Sequence, residues 1–286
     1  MKILFPLDPI NSKDVDFDYK NEYGVAKTLG IETFLYDHDL LADEGAIRFF
    51  GLKDERCSVI LRGWMLKPEQ YKVLYESLES KNHFLCTNPE SYKRCHYLKE
   101  SYSFIEKFTV KTLFTQNYNR ETLGKMFDQF TNGIVLKDYV KSEKGIPGLF
   151  RIPKETTHEQ LQTVVGRFVE ARGRLFNEGI AFREYLELKR IDGEVNEWRI
   201  FVFKNKVVAF EQNSNINILH NGISKPPANL IGSVIESLNG ASPFYTIDFA
   251  EKLDGGWIVV ETGDGQVSGL APKQNPIGLY NALMEN

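Results

Sequence analysis

Residues 244–265, FYTIDFAEKLDGGWIVVETGDG, contain two apolar runs joined by a polar turn with Asp254-Gly255-Gly256 at its tip. This pattern predicts a β-hairpin. Asp248 interrupts the first run, and Glu261 and Asp264 close the second, so pairing would bring the carboxylates to one end of a sheet. Converging carboxylates repel one another, and hard oxygen ligands favour Mg²⁺ as the partner that relieves the repulsion. The alternative is an ordinary hairpin whose acidic side chains face water.

The composition provides ample material for a buried core. The chain has 286 residues, of which 42% are hydrophobic, and this length allows one large or two modest domains. Its formal net charge of −4 gives no overall field that attracts nucleic acid. Cys57, Cys86 and Cys95 are odd in number and lack Cys-x-x-Cys spacing, which favours a reducing cytoplasm over a disulfide scaffold or zinc site. No apolar run of about 18 residues indicates a membrane span, so we expect a cytoplasmic protein.

Residues 1–100 alternate apolar strands with amphipathic helices. This alternation predicts a small α/β domain with a parallel sheet. Ligands of such sheets lie beyond the carboxyl ends of the strands, and Arg62 follows the strand Cys57–Leu61 at such an end. Two interpretations of Arg62 remain open. Its fork could bind the carboxylate or phosphate of a substrate, or it could be an exposed turn residue beside a packed Trp64.

Residues 101–286 combine largely antiparallel strands with two long helices, an α+β layout unlike the first part. The strand that begins at Ile134 carries Lys137 in its interior, and a loop with Lys141 and Lys144 follows. A lysine within a strand loses hydration unless an anion meets it, and the loop offers N–H groups and cations for a polyphosphate. The alternative is a hairpin whose edge lysine protects the sheet against aggregation.

A further strand, Glu197–Phe203, places Arg199 on the face opposite to Trp198. The segment after the next strand is rich in amides, and Asn213 and Asn215 are its candidate substrate contacts. Basic side chains stabilise transferring phosphoryl oxygens, and carboxylates hold the Mg²⁺ that bridges them. The chain lacks both a Walker-type phosphate loop and a His-Arg-Asp catalytic loop, which excludes the two commonest ATP-binding folds.

In their order, these parts resemble the ATP-grasp superfamily of carboxylate–amine ligases, nearest to the branch around the ribosomal-protein glutamate ligases. The matching motifs are Ile134–Lys137, Phe182–Leu186, Glu197–Val202, Tyr245–Asp248 and Val259–Asp264. The resemblance covers about residues 100–270. It implies a pre-ATP-grasp α/β domain over residues 1–100 and an ATP-grasp domain with antiparallel sheets over 101–286. The subdomains of the latter would span about residues 101–185 and 186–286.

The resemblance also implies which residues bind ATP. Lys137 would contact the phosphates beneath the loop that contains Lys141 and Lys144. Glu184-Tyr185-Leu186 would form the linker between the subdomains, whose backbone binds adenine. Glu187 would take the ribose hydroxyls.

The remaining implied roles concern phosphoryl transfer and Mg²⁺. Arg199 would stabilise the transferring γ-phosphoryl group, and Asp248 and Glu261 would hold Mg²⁺. The family usually ends this region with Glu-x-Asn, whereas here Gly263 stands two residues after Glu261. Asp264 could therefore be the third ligand only if the backbone bulges near it, which the adjacent glycines would permit.

The reaction implied by the resemblance has two steps. A carboxylate attacks the γ-phosphate of ATP to give an acyl phosphate and ADP, and an amine then displaces phosphate to give an amide or peptide bond. The substrates would be small-molecule or peptide carboxylates and amines, with a protein terminus among the options. Two alternatives remain: a nucleotide-binding regulatory module that has lost the chemistry, and a phosphotransferase on the same fold.

Overall fold

Three sheets of four or five strands organise the part of the chain that the structure describes, residues 1–11, 13–216 and 223–285. The structure is a computed structural model. The first sheet belongs to the N-terminal part, and the second and third enclose the candidate site.

The N-terminal sheet has five strands and four helices around it. The strands are β1 (Lys2–Pro6), β2 (Thr33–Tyr36), β3 (Phe49–Phe50), β4 (Cys57–Leu61) and β5 (His83–Leu85). The helices are α1 (Lys20–Thr28), α2 (His38–Glu44), α3 (Pro68–Glu79) and α4 (Pro89–His96). The strand order is β3-β2-β1-β4-β5, and every pair except β2–β3 is parallel. In β1, Ile3 and Phe5 join one apolar core and Leu4 another, as expected for a strand covered on both faces.

The second sheet has the antiparallel order β6-β9-β7-β8. Its strands are β6 (Thr112–Thr115), β7 (Ile134–Asp138), β8 (Arg151–Ile152) and β9 (Ile180–Glu184). Helix α5 (Leu98–Ile105) precedes it, and α6 (Arg120–Phe127) and α7 (His158–Arg172) cover one face. Ile134 and Leu136 of β7 face these helices, so alternation directs Lys137 to the other face.

The third sheet has the antiparallel order β13-β12-β14-β15. Its strands are β12 (Glu197–Phe203), β13 (Lys206–Gln212), β14 (Phe244–Glu251) and β15 (Trp257–Asp264), and the short pair β10 (Arg190–Ile191) and β11 (Glu194–Val195) precedes them. Helix α8 (Ala228–Ser237) packs on one face with α5. Helix α9 (Pro276–Glu285) packs between this sheet and the N-terminal one. None of the described helices has the length and apolar character that a membrane span requires.

The predicted fold class, an α/β part followed by an α+β part with antiparallel sheets, is confirmed. The hairpin predicted from residues 244–265 is β14 and β15. The three sheets occupy residues 2–85, 112–184 and 197–264. The predicted domain limits near residues 100 and 185 stay predictions.

Two helical features differ from the sequence expectation. Asn88 as the capping residue and Pro89 in the first turn predict one helix over Asn88–Lys99. The chain is instead extended at Tyr97 (φ −96°, ψ 119°), which divides this segment into α4 and α5. The Leu98 N–H donates to the Tyr139 carbonyl at 2.7 Å instead of continuing the first helix. Helix α9 was not expected, although Asn275 accepts a hydrogen bond from the Ile277 N–H and Pro276 opens the first turn.

Gly133, which precedes β7, offers a test of backbone packing. Its φ is 75°, and a side chain there would collide with the backbone oxygen of Ile152. We expect Gly133→Ala to lower the free energy of unfolding by on the order of 3 kcal/mol, because backbone strain and collision combine. Gly30→Ala is the matched control: its φ is 71° but the surrounding space is open, so the loss should be about 1 kcal/mol. Urea unfolding measures both, and equal losses would contradict the predicted collision.

Candidate active site

Arg199, Asp248 and Glu261 form one row across β12, β14 and β15. The register aligns Arg199 with Asp248 and Asp248 with Glu261, so the three side chains share a face. Arg199 binds Asp248 through two parallel hydrogen bonds, Nε to Oδ1 at 2.8 Å and Nη2 to Oδ2 at 2.6 Å. Its Nη1 donates to the Gly269 carbonyl at 2.8 Å. Burial alone would lower the pKa of Arg199, but the charge and hydrogen bonds of Asp248 raise it above its usual value.

Lys137 reaches this row from the second sheet. Its Nζ donates to Glu261 Oε2 at 2.9 Å, and Lys141 Nζ lies 3.7 Å from Glu261 Oε1. Burial lowers the pKa of Lys137, and with the like charge of Arg183 it outweighs the opposing effect of Glu261. Burial would raise the pKa of Glu261, but the charges of Lys137 and Lys141 hold it well below its usual range. The Lys137–Glu261 pair therefore joins the second and third sheets.

A cavity of about 580 Å³ lies between these two sheets, within the usual size range of small-molecule sites. Residues singled out from the sequence form much of its wall: Lys137, Lys144, Glu184, Tyr185, Leu186, Glu187 and Glu261. Apolar side chains, among them Val135, Ile258 and Val260, complete the lining. The cavity therefore has an apolar wall, and Lys137 and Glu261 connect its lining to the charged row.

The Glu184-Tyr185-Leu186 linker borders the cavity after β9. The Tyr185 N–H donates to the Gly133 carbonyl at 3.1 Å, and Glu184 Oε1 accepts from Thr131 Oγ1 at 3.0 Å. The guanidinium of Arg151 stacks on the Tyr185 ring, 3.7 Å from its centroid. Among the described residues, the backbone of Leu186 has no hydrogen-bond partner. The linker therefore keeps a free donor and acceptor beside the cavity.

Two further residues of the cavity wall, Arg183 and Glu197, were not chosen from the sequence. Arg183 is buried, and it donates to the Val260 carbonyl at 2.5 Å and to Thr109 Oγ1 at 2.8 Å. Burial raises the pKa of Glu197 to about 7, and the charge of Asp248 contributes. Strand alternation could have found Glu197, because it lies two residues before Arg199 and so shares its face.

The outer candidates lie at different distances from the row. Lys141 is at its edge, close to Glu261. Asn213 Nδ2 donates to Glu197 Oε1 at 2.6 Å, which places this amide beside the cavity wall. Asn215 is exposed, and no contact within the described residues connects it to the row.

Asp264 does not join the other two carboxylates. In β15 the register shift leaves Val260 as the extra residue, so Glu261 faces Asp248 while Asp264 falls on the opposite face with Thr262. The bulge needed to turn Asp264 toward Glu261 would have to lie between them, but it occurs before Glu261. Asp264 is fully buried; its Oδ1 accepts from the Gln266 N–H at 3.0 Å, and its Oδ2 has no partner. The expected convergence of three carboxylates is therefore reduced to two.

Arg62 is also directed away from the cavity. Its side chain is fully buried, with Nε and Nη2 on the Glu22 carboxylate at 2.8 and 3.0 Å. Its Nη1 donates to the carbonyl groups of Gly265, Gln266 and Ser268. Neither sequence interpretation describes this arrangement: the guanidinium is not exposed at a turn, and protein groups occupy its donors.

Asp248 and Glu261 fit a Mg²⁺ ion. Mg²⁺ is commonly bound by one or two carboxylates together with substrate phosphates and water, and these two side chains are neighbours on one face. Among the described residues, no three His, Cys, Asp or Glu side chains gather into a larger metal-binding group. The donor set therefore suits a metal ion whose other ligands come from a polyphosphate.

Two antiparallel sheets that enclose a charged cavity, behind an N-terminal α/β sheet, define an ATP-grasp fold. Residues 122–283 match the family described as "ATP-grasp domain, R2K clade family 3", and the chain belongs to this family. The resemblance inferred from the motifs is confirmed. The predicted enzyme class, an ATP-dependent ligase, is confirmed at the level of the family.

Solved structures share this fold over nearly the whole chain at low sequence identity. A RimK domain protein ATP-grasp from Sphaerobacter thermophilus DSM 20745 has a TM-score of 0.64 and 13% identity, covering 100% of this chain and 98% of its own. D-cycloserine synthetase DcsG has a TM-score of 0.64 and 12% identity, and the match covers 100% of this chain and 99% of that one. The ATP-grasp ligase PsnB, complexed with a variant of its minimal precursor, Mg and ADP, has a TM-score of 0.61 and 10% identity, covering 99% and 95%. No protein of curated function matches the chain.

The buried carboxyl of Asp264 makes a prediction about pH. Burial raises its pKa to about 7, so between about pH 4 and 7 the folded protein keeps a proton that the unfolded chain has released. The favourable contribution of the protonated group is complete below the unfolded pKa and is lost as the pH rises through the folded one. Relative to Asp264→Asn, the wild type should lose on the order of 3 kcal/mol of unfolding free energy across this window.

Urea unfolding of the two proteins at several pH values measures this difference. Asp18→Asn, which removes an exposed carboxylate, is the control for the loss of one negative charge. A difference between wild type and Asp264→Asn that stays constant with pH would contradict the prediction.

Proposed function

We propose that the protein is an ATP-dependent carboxylate–amine ligase that forms an amide or peptide bond through an acyl phosphate and releases ADP and phosphate. The observation that carries this proposal is the placement of Lys137, Arg199, Asp248 and Glu261. Lys137 and Glu261 come from two sheets, line one cavity and contact each other, and Asp248 and Arg199 continue the row beside Glu261. A mere binding module has no need of paired charges at this position.

The cavity suggests how ATP would bind. Adenine fits against the apolar wall, where its amino group and a ring nitrogen can pair with the free backbone acceptor and donor of Leu186. Glu187 and Glu197 line the same cavity and offer acceptors for the ribose hydroxyls. Lys137, with Lys141 and Lys144 of the following loop, would contact the phosphates. The base, sugar and phosphates would then follow the cavity from the linker toward the charged row.

Asp248 and Glu261 would hold Mg²⁺, which supplies neutralisation of the phosphate charge when bound. Each carboxylate is paired with a cation of the site, Asp248 with Arg199 and Glu261 with Lys137. If the carboxylates turn to a metal ion, both basic groups gain donors for phosphoryl oxygens. On binding of Mg²⁺ and ATP, the carboxylates would thus exchange their basic partners for the metal ion, and Arg199 and Lys137 would exchange the carboxylates for phosphoryl oxygens.

The reaction needs no nucleophilic side chain. An oxygen of the substrate carboxylate attacks the γ-phosphorus, the new O–P bond forms as the bond to the bridging oxygen of ADP breaks, and an acyl phosphate results. The amine nitrogen then attacks the acyl carbon, the bond to phosphate breaks, and the amine releases a proton. Arg199 and Lys137 stabilise charge on the transferring oxygens. The free cysteines fit an intracellular location, where ATP is available.

The class of the carboxylate can be found before the amine is known. Hydroxylamine traps acyl phosphates as hydroxamates, so the enzyme is incubated with ATP, Mg²⁺, hydroxylamine and a panel of amino acids and peptides. We expect ADP and hydroxamate in equal amounts for one class of carboxylate, because each acyl phosphate consumes one ATP. Binding of ATP without ADP release across the panel would favour a regulatory module. ADP release with a stable phosphorylated product and no hydroxamate would favour a phosphotransferase.

The proposed Mg²⁺ site makes its own prediction. Asp248→Asn and Glu261→Gln should each weaken binding of Mg²⁺–ATP by at least about tenfold, because each removes one charged oxygen ligand. Binding of ATP in the presence of a chelator should not weaken in the same way. Isothermal titration calorimetry measures both.

Glu236→Gln is the matched control for these substitutions. Glu236 is exposed on α8, the helix that packs on the opposite, apolar face of the same sheet. Its loss should leave Mg²⁺–ATP affinity unchanged. Unchanged affinity in Asp248→Asn and Glu261→Gln as well would show that the metal site is wrongly placed.

A further inference from the structure

Arg62 is fully buried against the backbone that follows β15, and the proposed reaction gives it no direct part. We propose that Arg62 is a positioning residue that acts on Arg199 through the backbone of residues 265–269, called here the 265–269 loop. The proposal rests on the proposed function, since it takes Arg199 as the group that stabilises phosphoryl transfer. The loop follows β15 directly and carries the contacts that join the two arginines.

One side of the Arg62 guanidinium is held by Glu22 of α1, which Tyr280 of α9 supports in turn. Nε and Nη2 donate to the two oxygens of Glu22 at 2.8 and 3.0 Å, and Tyr280 Oη donates to Glu22 Oε2 at 2.7 Å. A bidentate pair fixes the plane of a guanidinium as well as its position. Helices α1 and α9 thus hold Arg62 from one side.

The other side of Arg62 collects carbonyl groups of the 265–269 loop. Nη1 donates to Gly265, Gln266 and Ser268 at 2.7, 3.2 and 2.9 Å. Carbonyl dipoles that point to one place repel one another unless a cation lies between them. Arginine suits this place because its planar fork presents donors in two directions at once, whereas a lysine ammonium is a point charge. The curvature of the loop therefore depends on Arg62.

The 265–269 loop in turn contacts the charged row of Arg199, Asp248 and Glu261. The Gly269 carbonyl, one residue beyond the last contact of Arg62, accepts from Arg199 Nη1 at 2.8 Å. Ser268 Oγ lies 2.8 Å from Thr246 Oγ1, and Thr246 precedes Asp248 by two residues on the same face of β14. A shift of the loop would therefore move the Gly269 carbonyl, which is one hydrogen-bond partner of Arg199. It would also disturb β14, which carries Asp248, the other partner.

A direct role in substrate binding does not fit the same contacts. The side chain of Arg62 has no exposed surface, and Glu22 and three carbonyl groups already occupy its donors. A substrate could reach it only after these contacts had broken. Arg62 therefore influences the reaction through the geometry of Arg199.

The test is a double-mutant cycle on ADP release with Arg62→Lys and Arg199→Ala, alone and combined. Arg199→Ala should lower kcat by about 10²–10³ with a smaller effect on the KM for ATP. Arg62→Lys should lower kcat by up to about 10², because small displacements of catalytic groups are costly. The combined variant should lose no more than Arg199→Ala alone. Losses that multiply, or a raised KM for the carboxylate in Arg62→Lys, would overturn the proposal.

Arg174→Lys is the matched control for Arg62→Lys. Arg174 forms an exposed pair with Asp43, away from the cavity, and the same substitution there should leave kcat unchanged. Tyr280→Phe guards against the case in which Arg62→Lys fails to fold. It keeps the ring and removes only the hydroxyl donor to Glu22, so we expect a few-fold loss of kcat that likewise disappears in the Arg199→Ala background.

A second readout does not depend on turnover. In protein labelled with ¹⁵N-arginine, the Nε–H of Arg199, assigned by its loss in Arg199→Lys, should exchange slowly because it is bonded to Asp248. Its exchange should become faster in Arg62→Lys and Tyr280→Phe and stay the same in Arg174→Lys. If no substrate supports ADP release, the proposed function fails while this measurement still tests the positioning role. An unchanged Arg199 signal in both folded variants would overturn it.

Discussion

The register of β12, β14 and β15 is the constraint on which the candidate site depends. It places Arg199, Asp248 and Glu261 side by side on a half-buried face of the sheet. An unpaired charge would be costly there, so each of the three groups needs a partner of opposite charge. The Arg199–Asp248 pair satisfies the first two, and Lys137 from the second sheet satisfies Glu261. The same charges that would serve phosphoryl transfer thus also connect the two sheets around the cavity.

The register works only because β15 contains a bulge. Val259 pairs with Phe249 and faces the apolar core, whereas Glu261 pairs with Asp248 and faces the cavity, although residues two apart normally share a face. Val260 is the extra residue that reverses the alternation, and its carbonyl accepts from the buried Arg183. The extra residue Val260 thus allows Val259 to face the apolar core and Glu261 to face the cavity. It also provides the carbonyl group that accepts a hydrogen bond from Arg183.

Local sequence patterns predicted the helices and strands that form the site, and the order of the motifs predicted the family. They did not predict the position of the bulge in β15. The hairpin, the placement of Lys137 and Arg199 inside strands, and the linker at Tyr185 follow from periodicity and motif order. The sequence Gly263-Asp264-Gly265 suggested a bulge there, whereas the chain bulges at Val260, because an apolar residue must face the core on one side and a carboxylate the cavity on the other. Arg62 was misplaced for another reason. Its carbonyl partners are some 200 residues distant, Gln266 being 204 positions away, and Glu22 is 40 positions away, so no local pattern reports these contacts.

The Tyr280–Glu22 hydrogen bond also has a meaning for how the protein is made. It joins positions 258 residues apart, and α9, which carries Tyr280, leaves the ribosome after every strand described above. The N-terminal sheet can collapse early during synthesis, but the pair of Glu22 and Arg62 then lacks both the tyrosine and the loop that surround it. Contacts this distant in sequence slow the final step of folding. The strands of all three sheets would thus be synthesised while Glu22 and Arg62 still lacked the hydrogen bond from Tyr280.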